Sequence, residues 1–224
     1  MLQPNALTTL EMAKRFLGID ALDGTKDDTI YFFINSASDF IQEHCGRVFG
    51  LAVYEETKAG RSSNKLILER YPINELEELI IDTSIIDLKQ IRVLKDKGIL
   101  FRPSGGFPEA VLKGSFMHPR PDFISYNIYV RYTSGYVLPK DAVPGVTDRT
   151  LPYDLEMACL KMVKIMDKDK DSSEGKNLIL KREQIGDWMG EYEPEHKVAG
   201  TKLTMLDPDV IKVLDNYKLK EFYI

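Results

Sequence analysis

Asp28-Thr-Ile-Tyr-Phe-Phe-Ile-Asn-Ser-Ala-Ser-Asp-Phe-Ile-Gln-Glu-His-Cys-Gly46 is the stretch on which the fold turns. Ile30, Phe33, Ile34, Ala37, Phe40, Ile41 and Cys45 recur in steps of three and four, which places them on one face of a helix. Asn35, Ser38, Asp39, Gln42 and Glu43 fall on the other face. Asp27, Asp28 and Thr29 offer capping and negative charge at the positive end of the helix, and Gly46 offers a stop. Burial of such side chains contributes about 1.5–3 kcal/mol each before conformational entropy is counted. No other stretch is as regular, so it is read as the spine on which other helices pack.

Outward from the spine, Leu7–Leu17 reads as a short helix with Leu10, Ala13, Phe16 and Leu17 inward. Thr8 and Glu11 have capping-box spacing, and Leu7 with Met12 has the spacing of a hydrophobic staple. The acidic, turn-rich linker to Asp28 implies an antiparallel helix pair. From Leu51 to Val137 the texture becomes β. Ala52–Thr57, Lys65–Ile73, Leu76–Asp82, Ile91–Asp96, Gly98–Pro103, Ala110–Phe116 and Asn127–Val137 are short apolar runs separated by turn signals. In the last run Ile128, Val130 and Tyr132 alternate with Tyr129, Arg131 and Thr133, the pattern of one buried and one wet face. Helix returns with Leu155, Ala158, Cys159, Met162, Val163 and Met166 behind Pro152. A closing helix is expected behind Asp207 and Pro208, with Val210, Ile211, Val213, Leu214 and Tyr217 apolar. The fold class is therefore α+β: a helical bundle core of about four helices, residues 1–50 and 138–224, with an inserted small antiparallel β domain at 51–137.

Of 224 residues, 43% are hydrophobic and 29% charged, the balance of a globular chain. The net charge of −5 disfavours a protein that grips the phosphate backbone, yet suits one past which nucleic acid slides. The two cysteines, Cys45 and Cys159, both lie on apolar helical faces, as small buried hydrophobes in a reducing compartment do. The first residues lack the basic start and apolar run of a signal peptide, and no apolar stretch has membrane-spanning length, so maturation in a cytoplasm is expected.

The motifs for chemistry are incomplete. Asp167, Asp169 and Asp171 match the start of a calcium loop, but Ser172 and Leu178 stand where Gly and Glu are required. Gly175-Lys176 lacks the remaining residues of a phosphate-binding loop. His44, His118 and His196 are scattered, and adjacent His44 and Cys45 point in different directions. No catalytic residue, metal ligand or cofactor-binding residue is assigned, and the chain is read as a non-enzyme. Trp188, Met189 and Tyr192 are either ordinary core or an exposed anchor.

The order of these segments resembles the head–tail connector proteins of long-tailed bacteriophages, also called adaptor or head completion proteins. The first helix carries Leu7-Thr8-Thr9-Leu10-Glu11-Met12-Ala13-Lys14 and then Leu17 and Ile19. The spine ends in Ile41-Gln42-Glu43 and Gly46-Arg47 with Phe49. Leu66 and Leu68 precede Tyr71-Pro72-Ile73. Tyr132-Thr133-Ser134-Gly135-Tyr136 closes the insert, and Leu151-Pro152 with Asp154–Cys159 opens the next helix. The resemblance covers roughly residues 7–165, and the region of Ile185-Gly186-Asp187 more loosely; beyond Glu193 no motif is covered.

The resemblance implies a structural virion protein of the neck, at the head–tail junction, assembled in the cytoplasm of a bacterial host. It implies a homo-oligomeric ring, usually of twelve copies, that sits beneath the portal protein. Such a ring extends the DNA channel without sequence-specific contacts and offers a platform to a tail-side neck, stopper or tail terminator protein. Within that frame, portal docking is expected from Val210, Leu214, Tyr217, Phe222, Tyr223 and Ile224. The ring seam or an anchor is expected from Ser38, Asp39, Gln42, Glu43, Trp188 and Tyr192. Asp167, Asp169, Asp171 and Glu174 are expected along the channel. The rival readings are a β-containing protein-binding module without a ring and, third, an enzyme with a scattered active site.

Overall fold

A computed structural model describes residues 1–110, 126–143, 145–171 and 208–219, the last three residues of the 145–171 segment by backbone alone. The chain divides into two compact units, residues 1–48 with 138–224, and residues 49–137.

The first unit is helical. Its described residues form helices α1 (Leu10–Leu17), α2 (Asp27–Cys45), α3 (Tyr153–Asp171) and α4 (Pro208–Tyr217). The spine expected at 28–46 is α2, and Gly46, at φ 66°, closes it in the left-handed conformation that glycine adopts without steric cost. The start differs from expectation: the capping position falls on Lys26, which makes no side-chain cap bond, and Asp27 and Asp28 occupy the first turn. For α1 the cap is Thr9, whose hydroxyl accepts from Met12 N at 3.2 Å, and not Thr8. Thr8 is wholly buried and donates instead to Glu156 Oε1 on α3, 3.0 Å away. A long-range carboxylate took the hydroxyl that local spacing assigned to a cap.

Ile30, Ile34, Ala37 and Ile41 of α2 meet Leu155, Ala158, Cys159 and Val163 of α3 in a core in which each is at most 1% exposed. Ser38 Oγ lies 3.7 Å from Cys159 Sγ, near the middle of both helices. The start of α2 lies beside the end of α1, where Asp27 pairs with Lys14, and Lys164 of α3 reaches the ring of nearby Phe16. The end of α2 lies beside α4, which also touches Asp154 at the start of α3. Helices α2 and α3 therefore run antiparallel. Both cysteines are free and buried.

The second unit is built of antiparallel strands. Strands β1 (Ala52–Lys58), β7 (Ile128–Ser134), β3 (Ile73–Ile81) and β4 (Ser84–Ile85) form one sheet in that spatial order. Strands β2 (Lys65–Ile67), β6 (Ile99–Phe101) and β5 (Arg92–Leu94) form another. The alternation expected in β7 is present: Ile128, Val130 and Tyr132 are buried and Arg131 is exposed. Leu66, Leu79, Leu100 and Phe107 complete this core. Most of the strand expected at 110–116 lies outside the described residues.

Candidate functional site

Two buried polar constellations hold the units together internally. In the helical unit Glu156, 4% exposed, receives Thr8 Oγ1 on one oxygen and Arg149 Nη1 on the other. Arg149 Nη2 donates to Leu151 O at 2.8 Å, and the guanidinium lies 4.1 Å from the centre of the Tyr153 ring. In the β unit Tyr132 OH donates to Glu56, which also accepts from Glu69 N at 3.1 Å and pairs with Lys58 at 3.1 Å. Burial, with the Glu56 carboxylate beside it, pushes the Tyr132 phenol well above its usual range. In each, the carboxylate has its cation within the same constellation. Periodicity missed both. The available signal was a carboxylate at an inward strand position, Glu56 between Tyr54 and Lys58, and another on an apolar helical face, Glu156 four and seven residues before Leu160 and Val163.

A surface cleft of about 340 Å³ runs past Glu77, Glu78, Ile85 and Arg131. Its guanidinium is already engaged, with Arg131 Nε 2.9 Å from Glu77 and Nη1 3.7 Å from Glu55. Among the described residues no three metal-ligating side chains converge, and no helix is long and apolar enough to cross a membrane. His44 stacks on Phe40 and its Nε2 lies 3.3 Å from Asp215 of α4. Lys218 above all, with His44, holds the Asp215 carboxyl below its usual range.

The surfaces expected to bind partners are redistributed. Asp39 and Glu43 are exposed on α2. Ser38 and Gln42 are not: they are 1% and 8% exposed. Ser38 Oγ accepts from Leu7 N at 3.0 Å and donates to Ile34 O at 2.7 Å, and Gln42 Nε2 reaches Ser38 O and Asn5 O. The segment before α1 brings backbone groups onto this flank of α2, and those groups need polar partners. Ser38 and Gln42 thus serve the interior and are withdrawn as seam residues.

Val210 and Leu214 are 2% and 0% exposed within the bundle. Cys45 Sγ donates to Leu214 O, Leu219 N donates to Cys45 O at 2.8 Å, and Tyr217 OH donates to both oxygens of Asp154 at 2.9 Å. Helix α4 is consequently part of the bundle, and Val210 and Leu214 are spent in its core and withdrawn as docking residues. Phe222, Tyr223, Ile224, Trp188, Tyr192 and Glu174 lie outside the described residues. Asp167 is half-buried on α3, and Asp169 and Asp171 stand on its last turn, where only the backbone is described.

The motif residues do backbone work. Gly135, at φ 112°, sits where an added Cβ would stand 2.4 Å from Gly50 O. That close approach lets Tyr136 N donate to Phe49 O at 2.8 Å and Leu51 N to Tyr136 O at 2.9 Å, with the Phe49 and Tyr136 rings 6.4 Å apart.

The fold is similar to chains of gene transfer agent particles. One, from the neck of an empty particle computed with sixfold symmetry, is 12% identical with a TM-score of 0.53. A second, from the virion of a native particle, is 11% identical with a TM-score of 0.52. A third, from the neck of a native particle computed with twelvefold symmetry, is 11% identical with a TM-score of 0.50. Each alignment covers 98% of this chain and 93% of the other. No curated protein sequence matches. The model of the head completion protein family matches residues 6–178, most of the chain, and takes in α1, α2, the whole β unit and α3; the chain belongs to the head completion protein family.

Proposed function

We propose that this chain is a structural protein of the neck of a phage-like particle, an adaptor that forms a ring between the portal and the tail. The observation that carries the reading is the family match over residues 6–178, which takes in the helices α1, α2 and α3 and the β unit between them. The fold likeness to chains from particle necks supports the location, and the symmetries of those necks support a ring of six- or twelvefold order. The role is mechanical and not catalytic. The ring extends the channel through which DNA passes, with Asp167, Asp169, Asp171 and Glu174 giving a negative lining that repels the phosphate backbone. It also offers the tail-side protein a platform.

With Val210 and Leu214 committed to the bundle, contact with the portal falls to Phe222, Tyr223 and Ile224, reached past Tyr217. The test is assembly on isolated portal rings. Purified chain mixed with portal should add one ring-shaped layer in negative-stain images, and deletion of residues 220–224 should abolish pull-down while the unfolding curve stays unchanged. Absence of any portal-bound layer, or tail attachment to particles made without this protein, refutes the reading.

A further inference from the structure

We infer that the seam between ring neighbours joins the exposed stripe of α2 on one copy to the exposed stripe of α3 on the next. The inference rests on the ring reading above and names which surfaces meet. On α2 the outward positions are Asp28, Phe32, Ser36, Asp39 and Glu43, spaced four, four, three and four. On α3 they are Tyr153, Met157, Lys161, Lys164 and Lys168, with the same spacing. Each stripe lies opposite its helix's buried face. Because those buried faces meet each other in the core, the two stripes are on opposite flanks of the helical unit.

The stripes are complementary in charge. Helix α2 carries four acids and no lysine or arginine. Asp28, Asp39 and Glu43 make no ion pair among the described residues, and neither do Lys164 and Lys168, of which Lys164 only covers the Phe16 ring at 5.4 Å. One copy thus presents the unpaired acids Asp28, Asp39 and Glu43 on one flank and the unpaired lysines Lys164 and Lys168 on the other, among the described residues. Each stripe also holds large exposed apolar groups: Phe32 at 66%, Tyr153 at 75% and Met157 at 43% exposure.

A face that complements a different face of the same molecule is the requirement for a head-to-tail contact, and such contacts close into a ring when the rotation fits. Rotation about a ring axis of high order nearly preserves helix direction, so α2 of one copy runs antiparallel to α3 of its neighbour. In that pairing Lys168 faces Asp28, Lys164 lies by Phe32, and Tyr153 lies by Glu43. Exposed ion pairs are individually weak and screened by salt, so they set register and partner choice more than affinity. Assembly is then salt-sensitive and favoured by a portal template.

The experiment uses full-length chains reversed in charge at exposed positions, with circular dichroism to show that the fold is kept. One variant carries Asp28→Lys, the other Lys168→Glu, the two positions that this register brings together. Each alone is expected to form portal-templated rings at least tenfold less well than the parent at low salt. Because each variant presents one sign of charge at both facing positions, copies of one variant repel each other, and the equimolar mixture is expected to alternate around the ring and restore assembly, as is the chain carrying both changes. Ring formation by either single variant at the parent's level overturns the seam and leaves the ring reading standing. The same holds if rings form and only portal or tail-side binding is lost, which would make the stripes partner sites. A parent chain that forms no ring on the portal overturns both.

Discussion

Replacing Arg149 with Met should destabilise the helical unit by about 3–5 kcal/mol, the usual cost of leaving a buried charge without its partner. The structure supports the upper part of that range. The Glu156 side chain is 5% exposed and that of Arg149 20%, so the carboxylate itself has little access to water. The carboxylate would keep one bond, from Thr8 Oγ1. The Tyr153 ring and Leu151 O would lose the group packed on them as well. Adding Glu156→Gln removes the stranded charge while an amide oxygen still accepts from Thr8. The double variant should therefore return to within about 1 kcal/mol of the parent, a coupling of about 2–4 kcal/mol between contacting residues. Urea unfolding followed by circular dichroism at 222 nm reads the helical unit. With a slope near 2–3 kcal/mol/M, the Arg149→Met midpoint should fall by roughly 1–2 M and recover in the double variant. A shift in the single variant below about 0.3 M, or no recovery in the double, would refute the assignment of this pair as the pin between the 138–151 connection, α1 and α3.

Leu214→Ala should cost about 2–5 kcal/mol in the same assay, as a large-to-small change in a core does. A terminal helix that merely docks elsewhere would show almost no change. Burial raises the thiols of Cys45 to about 11 and Cys159 to about 12. The folded state therefore holds these protons more tightly than the unfolded chain, whose thiols titrate near 8.5. Stability is full below that value and falls as pH rises toward the folded values, by about 1.4 kcal/mol per pH unit per thiol. Urea midpoints between pH 7 and 10 check this, and Cys45→Ala with Cys159→Ala should flatten the slope. Gly135→Ala should destabilise the β unit by about 3 kcal/mol or more, since its φ of 112° is strained for any side chain and the new Cβ would meet Gly50 O. Native-state hydrogen exchange of the β7 amides measures that loss, and unchanged protection refutes it.

The spine was readable because α2 buries one face along its whole length. Three-and-four spacing then reports burial directly, and Gly46 marks the end by a backbone requirement no other residue meets as cheaply. The same logic exposed β7, which is paired on both edges along its whole length and alternates cleanly. Periodicity failed where a polar side chain answers to a distant segment. Ser38 and Gln42 are polar because Leu7 N and Asn5 O come to rest beside them, across more than thirty residues of sequence. Thr8 gave up its capping role for a carboxylate 148 positions away. For α4 the apolar pattern was plain, but a pattern states only that a face must be covered. Whether Val210 and Leu214 meet a partner or the same chain is decided by packing against Cys45 and the start of α3, and no spacing within ten residues encodes that.

The residues that carry the family resemblance and those that carry the proposed seam belong to different physical classes, and this bears on how a neck protein can diverge. Gly46, Phe49, Gly135 and Tyr136 fix helix termination and the close approach of two backbones, so substitution there is felt as strain whatever the partner is. Asp28 and Lys168 are exposed, and on the proposed seam their worth lies in matching the next copy of the same chain. Such positions can change together, sign for sign, without cost to the fold, as the paired charge reversals exploit. A fold kept at 11–12% identity to chains from other particles is the outcome expected if the backbone constraints are shared while each ring keeps its own charge pattern. On that reasoning a chain of this family with a different seam pattern should not join this protein's ring, even though the two folds superpose. Mixed-assembly experiments between this protein and such a relative, scored by mass photometry of the portal-bound layer, would show exclusive rings; freely mixed rings would mean that specificity resides elsewhere.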